Sequence, residues 1–92
     1  MYKFDIMTMR RTSKPEYVPY ILNVLEKFKK GTEKQVLEKV YISIKDNLHP
    51  DDLVILPNGE PRWRNQAQNM IDGLIESGYI IKENGFLKLS LQ

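Results

Sequence analysis

Arginine and amide side chains are concentrated in one short stretch of the chain, residues 62–69. The candidate residues are Arg62, Arg64, Asn65, Gln66, Gln68 and Asn69. An Asn or Gln amide can donate to and accept from one adenine edge at once, and an Arg guanidinium can bond guanine in the same two-point manner. Because Asn has poor helix propensity, four amides in five positions are unusual for an ordinary helix surface. The stretch therefore favours hydrogen bonding to base edges, the alternative being a polar surface that contacts only water.

Residues 61–77 are predicted to form the helix that carries these side chains. Apolar residues recur at helical spacing and define one buried stripe, formed by Trp63, Ala67, Met70, Ile71 and Leu74. Polar residues project away from that stripe, namely Arg62, Asn65, Asn69 and Asp72. We expect Trp63 to anchor the core rather than to stack on a base, because it lies on the apolar stripe.

Two further helices are predicted before this one. The first covers residues 15–30, with Pro19 delaying the start of its regular part and Gly31 closing it. Its buried face is expected to contain Val18, Ile21, Leu22, Leu25 and Phe28. The second covers residues 33–46 and begins at a capping box formed by Thr32 and Gln35. Its buried face is expected to contain Val36, Leu37, Val40, Tyr41 and Ile44.

A β-hairpin is predicted to follow, with strands over residues 79–83 and 86–91. The Asn84-Gly85 pair between them tolerates the positive φ angles that a tight turn requires. Residues 50–60 are expected to form a loop with one helical turn, whose apolar residues 53–56 cover one end of the core. Three helices followed by a hairpin predict a winged helix-turn-helix, an α+β fold that is mainly α. The domain is expected to span residues 14–92, with residues 1–13 as an arm or short strand.

Basic residues outside the third helix could contact phosphates. Lys82 and Lys88 flank the tip of the hairpin at Asn84, and Arg10 and Arg11 lie in a basic N-terminal arm. Phosphate contacts position a protein on a duplex without reading its sequence. The alternatives are a hairpin that only caps the core and an arm that is only solvated. The formal net charge of +2 for the whole chain decides nothing by itself.

Composition argues against several other functions. The chain has no cysteine, which removes disulfides, thiolate metal sites and a cysteine nucleophile. His49 is the only histidine, and one histidine beside Asp51 and Asp52 falls short of the three or four converging ligands of a metal site. We therefore expect no enzyme activity, no cofactor and no metal. No apolar run approaches the roughly 20 residues of a membrane span, and a cytoplasmic location is expected.

The region around Pro61 resembles a known family. The run Pro61-Arg62-Trp63-Arg64-Asn65 follows Leu56-Pro57-Asn58-Gly59 and precedes a segment ending in Gly78-Tyr79-Ile80. This pattern is similar to that of the N-terminal domain of Mrr-type restriction proteins, over about residues 14–90. The resemblance implies a winged-helix DNA-recognition module, usually joined to a separate nuclease domain that cuts modified DNA. By position, Arg62 and Asn65 match the family motif, and Trp63 matches its aromatic residue.

The chain also departs from that family. Arg64 stands where the family has Glu, Gln66 and Gln68 stand where it has arginines, and Asn69 stands where it has a second Trp. Fewer cations on the helix should weaken phosphate attraction. The sequence thus predicts a double-stranded DNA-binding domain whose partners include DNA and either a nuclease domain of the same parent protein or a second copy. The alternative is a protein-interaction or dimerisation module that uses the first helix or the hairpin edge.

Overall fold

The computed structural model of the chain describes residues 11–90. In chain order the elements are α1 (Lys14–Phe28), β1 (Lys30–Thr32), α2 (Glu33–Ile44), α3 (Arg62–Glu76), β2 (Ile80–Glu83) and β3 (Phe86–Leu89). Two 3-10 turns, Lys45–Asn47 and Pro50–Leu53, lie between α2 and α3. Most of the predicted arm or short strand, residues 1–10 with Arg10, and the end of the predicted hairpin at Leu91 lie outside the described residues.

The sheet joins the hairpin to a strand that the sequence analysis missed. The strands pair antiparallel in the order β1-β3-β2, with Gly31 opposite Leu87 and Ile81 opposite Lys88. Gly31 was predicted to close the first helix, but it lies buried inside β1. A strand between the first two helices, paired with the last strand of a hairpin, is the topology of a winged helix-turn-helix. The predicted α+β, mainly α fold is therefore confirmed, with three strands instead of two.

Local hydrogen bonds fix where the helices and the hairpin turn begin. The Ser13 amide donates to the Glu16 carboxylate at 3.0 Å ahead of α1. The predicted capping box of α2 is present, since the Gln35 amide N–H donates to Thr32 Oγ1 at 3.2 Å and the Thr32 amide donates to Gln35 Oε1 at 2.9 Å. The hairpin turn has the expected positive φ angles, 53° at Asn84 and 82° at Gly85.

Helix α1 begins earlier than predicted and runs through Pro19. It starts at Lys14, and Pro19 lies inside it. A proline there removes one hydrogen bond to the carbonyl of Pro15, close to the helix start. The extra turn buries Tyr17 completely. Burial of that aromatic ring offsets the lost bond, which explains why the proline does not delay the helix.

The three helices and the sheet bury one hydrophobic core. Its members are Tyr17, Ile21, Val24, Leu25, Val36, Leu37, Val40, Ile44, Trp63, Ala67, Ile71, Leu74, Ile80 and Leu87. Two residues that were predicted to be buried are exposed: Phe28 is 43% exposed and Tyr41 is 37% exposed. Three others, Val18, Leu22 and Met70, are only partly buried at the edge of the core. Phe28 lies at the last position of α1, where its ring lines a groove with α2. Tyr41 covers the indole of Trp63 from outside, with the ring centroids 5.0 Å apart.

The prediction that residues 53–56 cover the core is wrong. Leu53, Val54 and Ile55 are all exposed. The segment is held by its backbone instead, because the Arg62 amide donates to the Val54 carbonyl and the Leu56 amide donates to the Glu60 carbonyl, both at 2.8 Å. A loop fixed in this way can leave its apolar side chains in solvent. The predicted helical turn is a 3-10 turn over Pro50–Leu53.

Candidate nucleic-acid interface

Helix α3 turns one face into the core and the opposite face outwards. Trp63, Ala67, Ile71 and Leu74 are buried, and Met70 packs at their border. Trp63 is only 6% exposed and stacks on Tyr41 with an interplanar angle of 31°. The indole is therefore a core anchor, as predicted. The backbone of α3 is thereby fixed in rotation, so Asn65, Asn69 and Asp72 lie on the face opposite the core.

Two of the predicted amide residues stand together on the outward face. Asn69 is exposed, Asn65 is half-buried, and Nδ2 of Asn69 donates to Oδ1 of Asn65 at 3.4 Å. The bond uses one N–H of Asn69 and leaves its carbonyl oxygen and second N–H available. Gln66 and Gln68 lie half-buried on the flanks. The outward face thus presents paired donors and acceptors of the kind that read base edges.

Arg62 is held at the start of α3 by a carboxylate from the preceding 3-10 turn. Its Nε atom lies 3.7 Å from Oδ2 of Asp51, and Nη1 of Arg11 lies 3.6 Å from the same oxygen. The Arg62 Nε is also buried without a hydrogen-bond partner in the described part of the chain. The structure therefore brings the predicted arm residue Arg11 and the predicted helix residue Arg62 together, around a shared negative charge.

Arg64 is also paired. Its Nε atom lies 3.4 Å from Oε1 of Glu60, one turn earlier in the chain. Glu60 is held in turn by Asn58, whose amide nitrogen donates to its carboxylate at 3.2 Å. The loop before α3 therefore places two acidic residues, Asp51 and Glu60, beside the two arginines of the helix. The sequence analysis named these arginines as DNA contacts without anticipating their partners.

The hairpin places its two lysines on opposite faces. Lys82 pairs with Leu87, whose side chain is buried, whereas Lys88 pairs with Ile81 and Lys30 across the sheet. Side chains alternate along a strand, so Lys82 and Lys88 point to different sides. Lys88 Nζ lies 3.5 Å from the Glu83 carboxylate. Lys82 forms no ion pair with the described residues, and Asn84 occupies the exposed tip.

Negative charge increases along α3 towards its end. Asp72 and Glu76 are exposed on the same outward side as Asn65 and Asn69. Arg62 and Arg64 stand at the opposite end of the helix. Only the first half of α3 therefore suits close approach to phosphates, which is the half that helix-turn-helix proteins direct at base edges.

A buried polar cluster that was not predicted from the sequence lies at the 3-10 turn before α3. Asp52 is completely buried and accepts three hydrogen bonds, from the Thr12 amide at 2.9 Å, the Thr12 hydroxyl at 2.7 Å and the His49 amide at 2.8 Å. The cluster fastens the chain before α1 to the loop before α3. His49 contributes its backbone, and residues 11–90 contain no group of three side chains suited to hold a metal ion.

Tyr17 lies beside this cluster. Its hydroxyl is buried without a partner at good hydrogen-bond geometry among the described residues, although the Thr12 side chain lies close enough to oppose part of the rise in its pKa. Burial, with a further contribution from the charge of Asp52, raises the pKa of Tyr17 from 10.0 to about 12. The Tyr17 side chain therefore stays neutral over the physiological pH range, and its ring packs in the core.

Comparisons with protein-family models, with curated proteins and with solved structures find no match to this chain. The resemblance to Mrr-type domains therefore stays a prediction from the residues around Pro61. Among residues 11–90, none of the helices is both long and apolar enough to cross a membrane.

Proposed function

We propose that the protein binds double-stranded DNA, with the first half of α3 in the major groove and the hairpin as a wing on the phosphate backbone. The observation that carries the proposal is the outward amide pair of Asn65 and Asn69, joined at 3.4 Å above the buried stripe that begins at Trp63. An amide held by its neighbour loses less side-chain freedom when it bonds a base. This arrangement supports readout of an adenine edge by the pair.

The ion pairs on this face set the expected strength of binding. Arg11, Arg62, Arg64 and Lys88 each lie within 3.4–3.7 Å of a carboxylate. Ion pairs that solvent can still reach contribute only about 0–1 kcal/mol, and these pairs are partly exposed, so a phosphate can take the place of the carboxylate. The acids nevertheless remain near the duplex and repel it. We therefore propose modest affinity that depends strongly on salt.

The proposal extends to the context of the domain. Following the resemblance, the domain serves as the recognition module of a restriction-like or regulatory protein, with a nuclease domain of the same parent protein as partner. The module itself is proposed to be non-enzymatic and to work in the cytoplasm.

The test is a fluorescence-anisotropy titration of a labelled random-sequence duplex. Wild-type binding should weaken at least about tenfold between about 50 and about 200 mM salt, because phosphate contacts release counterions. Lys82→Ala should weaken binding to every sequence alike, since Lys82 would contact phosphate only. Lys45→Ala, which removes an exposed lysine outside α3 and the hairpin, is the matched control and should leave affinity unchanged. Binding that does not respond to salt would refute the proposal.

A second candidate function is pairing between two copies through the hairpin edge. β2 lies at an edge of the sheet, where Tyr79 is 63% exposed and Ile81 is 38% exposed. An edge strand with unpaired backbone groups can add a strand from another chain. Sedimentation velocity over a concentration series tests it, since a monomer at every concentration would exclude this function.

A further inference from the structure

A groove between α1 and α2 lies outside the proposed DNA-binding face. It encloses about 360 Å³, and its apolar lining comes from Tyr20, Val24, Phe28 and Ile42. No residue of α3 or of the hairpin contributes to it. The groove is therefore a separate surface, and DNA binding by α3 and the hairpin does not account for it.

Part of the apolar lining of the groove is open to solvent. Ile42 is 67% exposed and Phe28 is 43% exposed, although both lie on helices whose other apolar residues are mostly buried. The free energy falls when a partner covers neighbouring exposed apolar side chains and removes them from water. An occupant that supplies apolar side chains is therefore favoured.

The charged side chains that line the groove itself are of one sign. The two charged side chains that line the groove are Lys27 and Lys39. Their Nζ atoms lie 5.4 Å and 4.1 Å from the centroid of the same ring, that of Phe28. Neither ammonium group pairs with a carboxylate among residues 11–90, whereas Arg62, Arg64 and Lys88 all do. Two lysines that lie over one aromatic ring without a carboxylate partner favour the binding of a negatively charged group.

We propose that this groove binds an acidic amphipathic helix of a partner protein. From Tyr20 to Phe28, α1 offers about two helical turns of lining, or about 12 Å, which matches a short helix laid along it. Apolar residues of the partner spaced three or four positions apart would contact Tyr20, Phe28 and Ile42. Carboxylates on the borders of that apolar face would form charge-assisted hydrogen bonds with the ammonium groups of Lys27 and Lys39.

DNA is a poorer match for the same groove. Lysines can attract phosphates, but a phosphate backbone offers no apolar surface to cover Ile42 and Phe28. The combination of an exposed apolar floor and two unpaired lysines therefore favours a protein helix. The proposal stands independently of the DNA-binding function, because the two surfaces share no residue.

The experiment uses the full chain and a fluorescein-labelled synthetic helix of about four turns. Its apolar face carries Leu and Phe at helical spacing, and its borders carry Glu. Two further peptides serve as controls: one with the same composition in scrambled order, and one with Lys in place of Glu. Anisotropy measures the affinity of each for the wild type and for Lys39→Glu, Ile42→Ser and the control Lys34→Gln, which neutralises an exposed lysine elsewhere on α2.

The wild type should bind the acidic amphipathic peptide and neither control peptide. Lys39→Glu and Ile42→Ser should each weaken binding about tenfold, as expected for residues that anchor an interface, and Lys34→Gln should change it less than about twofold. Circular dichroism checks that each variant folds, and both substituted side chains are accessible enough for the fold to be retained.

Three outcomes would overturn the proposal. The first is equal binding of the acidic and the scrambled peptides. The second is competition by random duplex DNA that Lys39→Glu abolishes, which would assign the groove to nucleic acid. The third is self-association that Ile42→Ser abolishes, which would assign it to a second copy of the chain. If the wild type did not bind DNA, the result with the acidic peptide would still stand. The two proposals can therefore fail separately.

Discussion

The Nε atom of Arg62 lies 3.7 Å from Oδ2 of Asp51, at the point where the loop meets the start of α3. The same carboxylate oxygen lies 3.6 Å from Arg11. One acid therefore neutralises part of the charge of two cations proposed to face DNA. Asp51 is thus the residue whose removal should reveal how strongly this face attracts phosphate.

Replacing Asp51 with Asn should strengthen DNA binding. The change frees Arg11 and Arg62 and removes a negative charge that repels the duplex, so we expect affinity at low salt to rise about three- to tenfold, with a steeper salt dependence. Asp46→Asn is the matched control, since it makes the same charge change at an exposed position in the other 3-10 turn. If both variants gained the same DNA affinity, the gain would come from the change in net charge alone. That result would contradict a specific role of Asp51 in restraining Arg11 and Arg62.

Replacing Asp52 with Ala should destabilise the fold. The substitution leaves two donors of Thr12 and the amide of His49 without their acceptor in a buried site. Buried donors without partners cost about 1–3 kcal/mol each before relaxation, so we expect the free energy of unfolding to fall by about 3 kcal/mol. Urea denaturation measures the change, with Asp46→Ala as an exposed control. A loss below about 1 kcal/mol would show that the cluster does not hold the two segments together.

Replacing Tyr17 with Phe should stabilise the protein at neutral pH. The substitution removes a buried hydroxyl that has no partner at good hydrogen-bond geometry among residues 11–90, so we expect the free energy of unfolding to rise by about 1 kcal/mol. Tyr79→Phe, at an exposed position, is the control. A marked loss of stability in the Tyr17 variant would show that its hydroxyl is bonded in solution.

The same substitution should change the alkaline limit of stability. Since the pKa of Tyr17 is raised to about 12 in the fold, the fold favours the neutral side chain. The associated stability is complete below the ordinary pKa of 10.0 and is lost as the pH rises through about 12. Wild-type stability should therefore fall more steeply than that of Tyr17→Phe across this window. Parallel curves would contradict the raised pKa.

Features encoded by neighbouring residues could be predicted from the sequence. The capping box of Thr32 and Gln35 and the positive φ angles of Asn84 and Gly85 each depend on residues within a few positions of one another. The stripe of α3 has the same local origin, because helical periodicity alone fixes which residues face together. These signals were sufficient for the fold and for the outward face that carries Asn65 and Asn69.

Features that depend on distant contacts could not be predicted in this way. Strand β1 has only three residues and is fixed by pairing with β3, far along the chain. Phe28 continues the apolar periodicity of α1, but whether it is covered depends on α2. The ion pair between Arg62 and Asp51 likewise required the path of the intervening loop. Sequence spacing therefore identified the side chains that could contact DNA, but it did not identify the carboxylates that pair with them.

Selection from a randomised duplex library shows whether the amide pair on α3 reads bases. Wild type and Asn69→Ala are each used to enrich bound sequences, and Lys82→Ala serves as the comparison. We expect wild type to enrich a defined site and Asn69→Ala to lose about 1–3 kcal/mol of preference at one base pair, while Lys82→Ala keeps the preference and binds all sequences more weakly. The same enriched site, with the same preference at every position, for wild type and Asn69→Ala would contradict base reading by the amide pair.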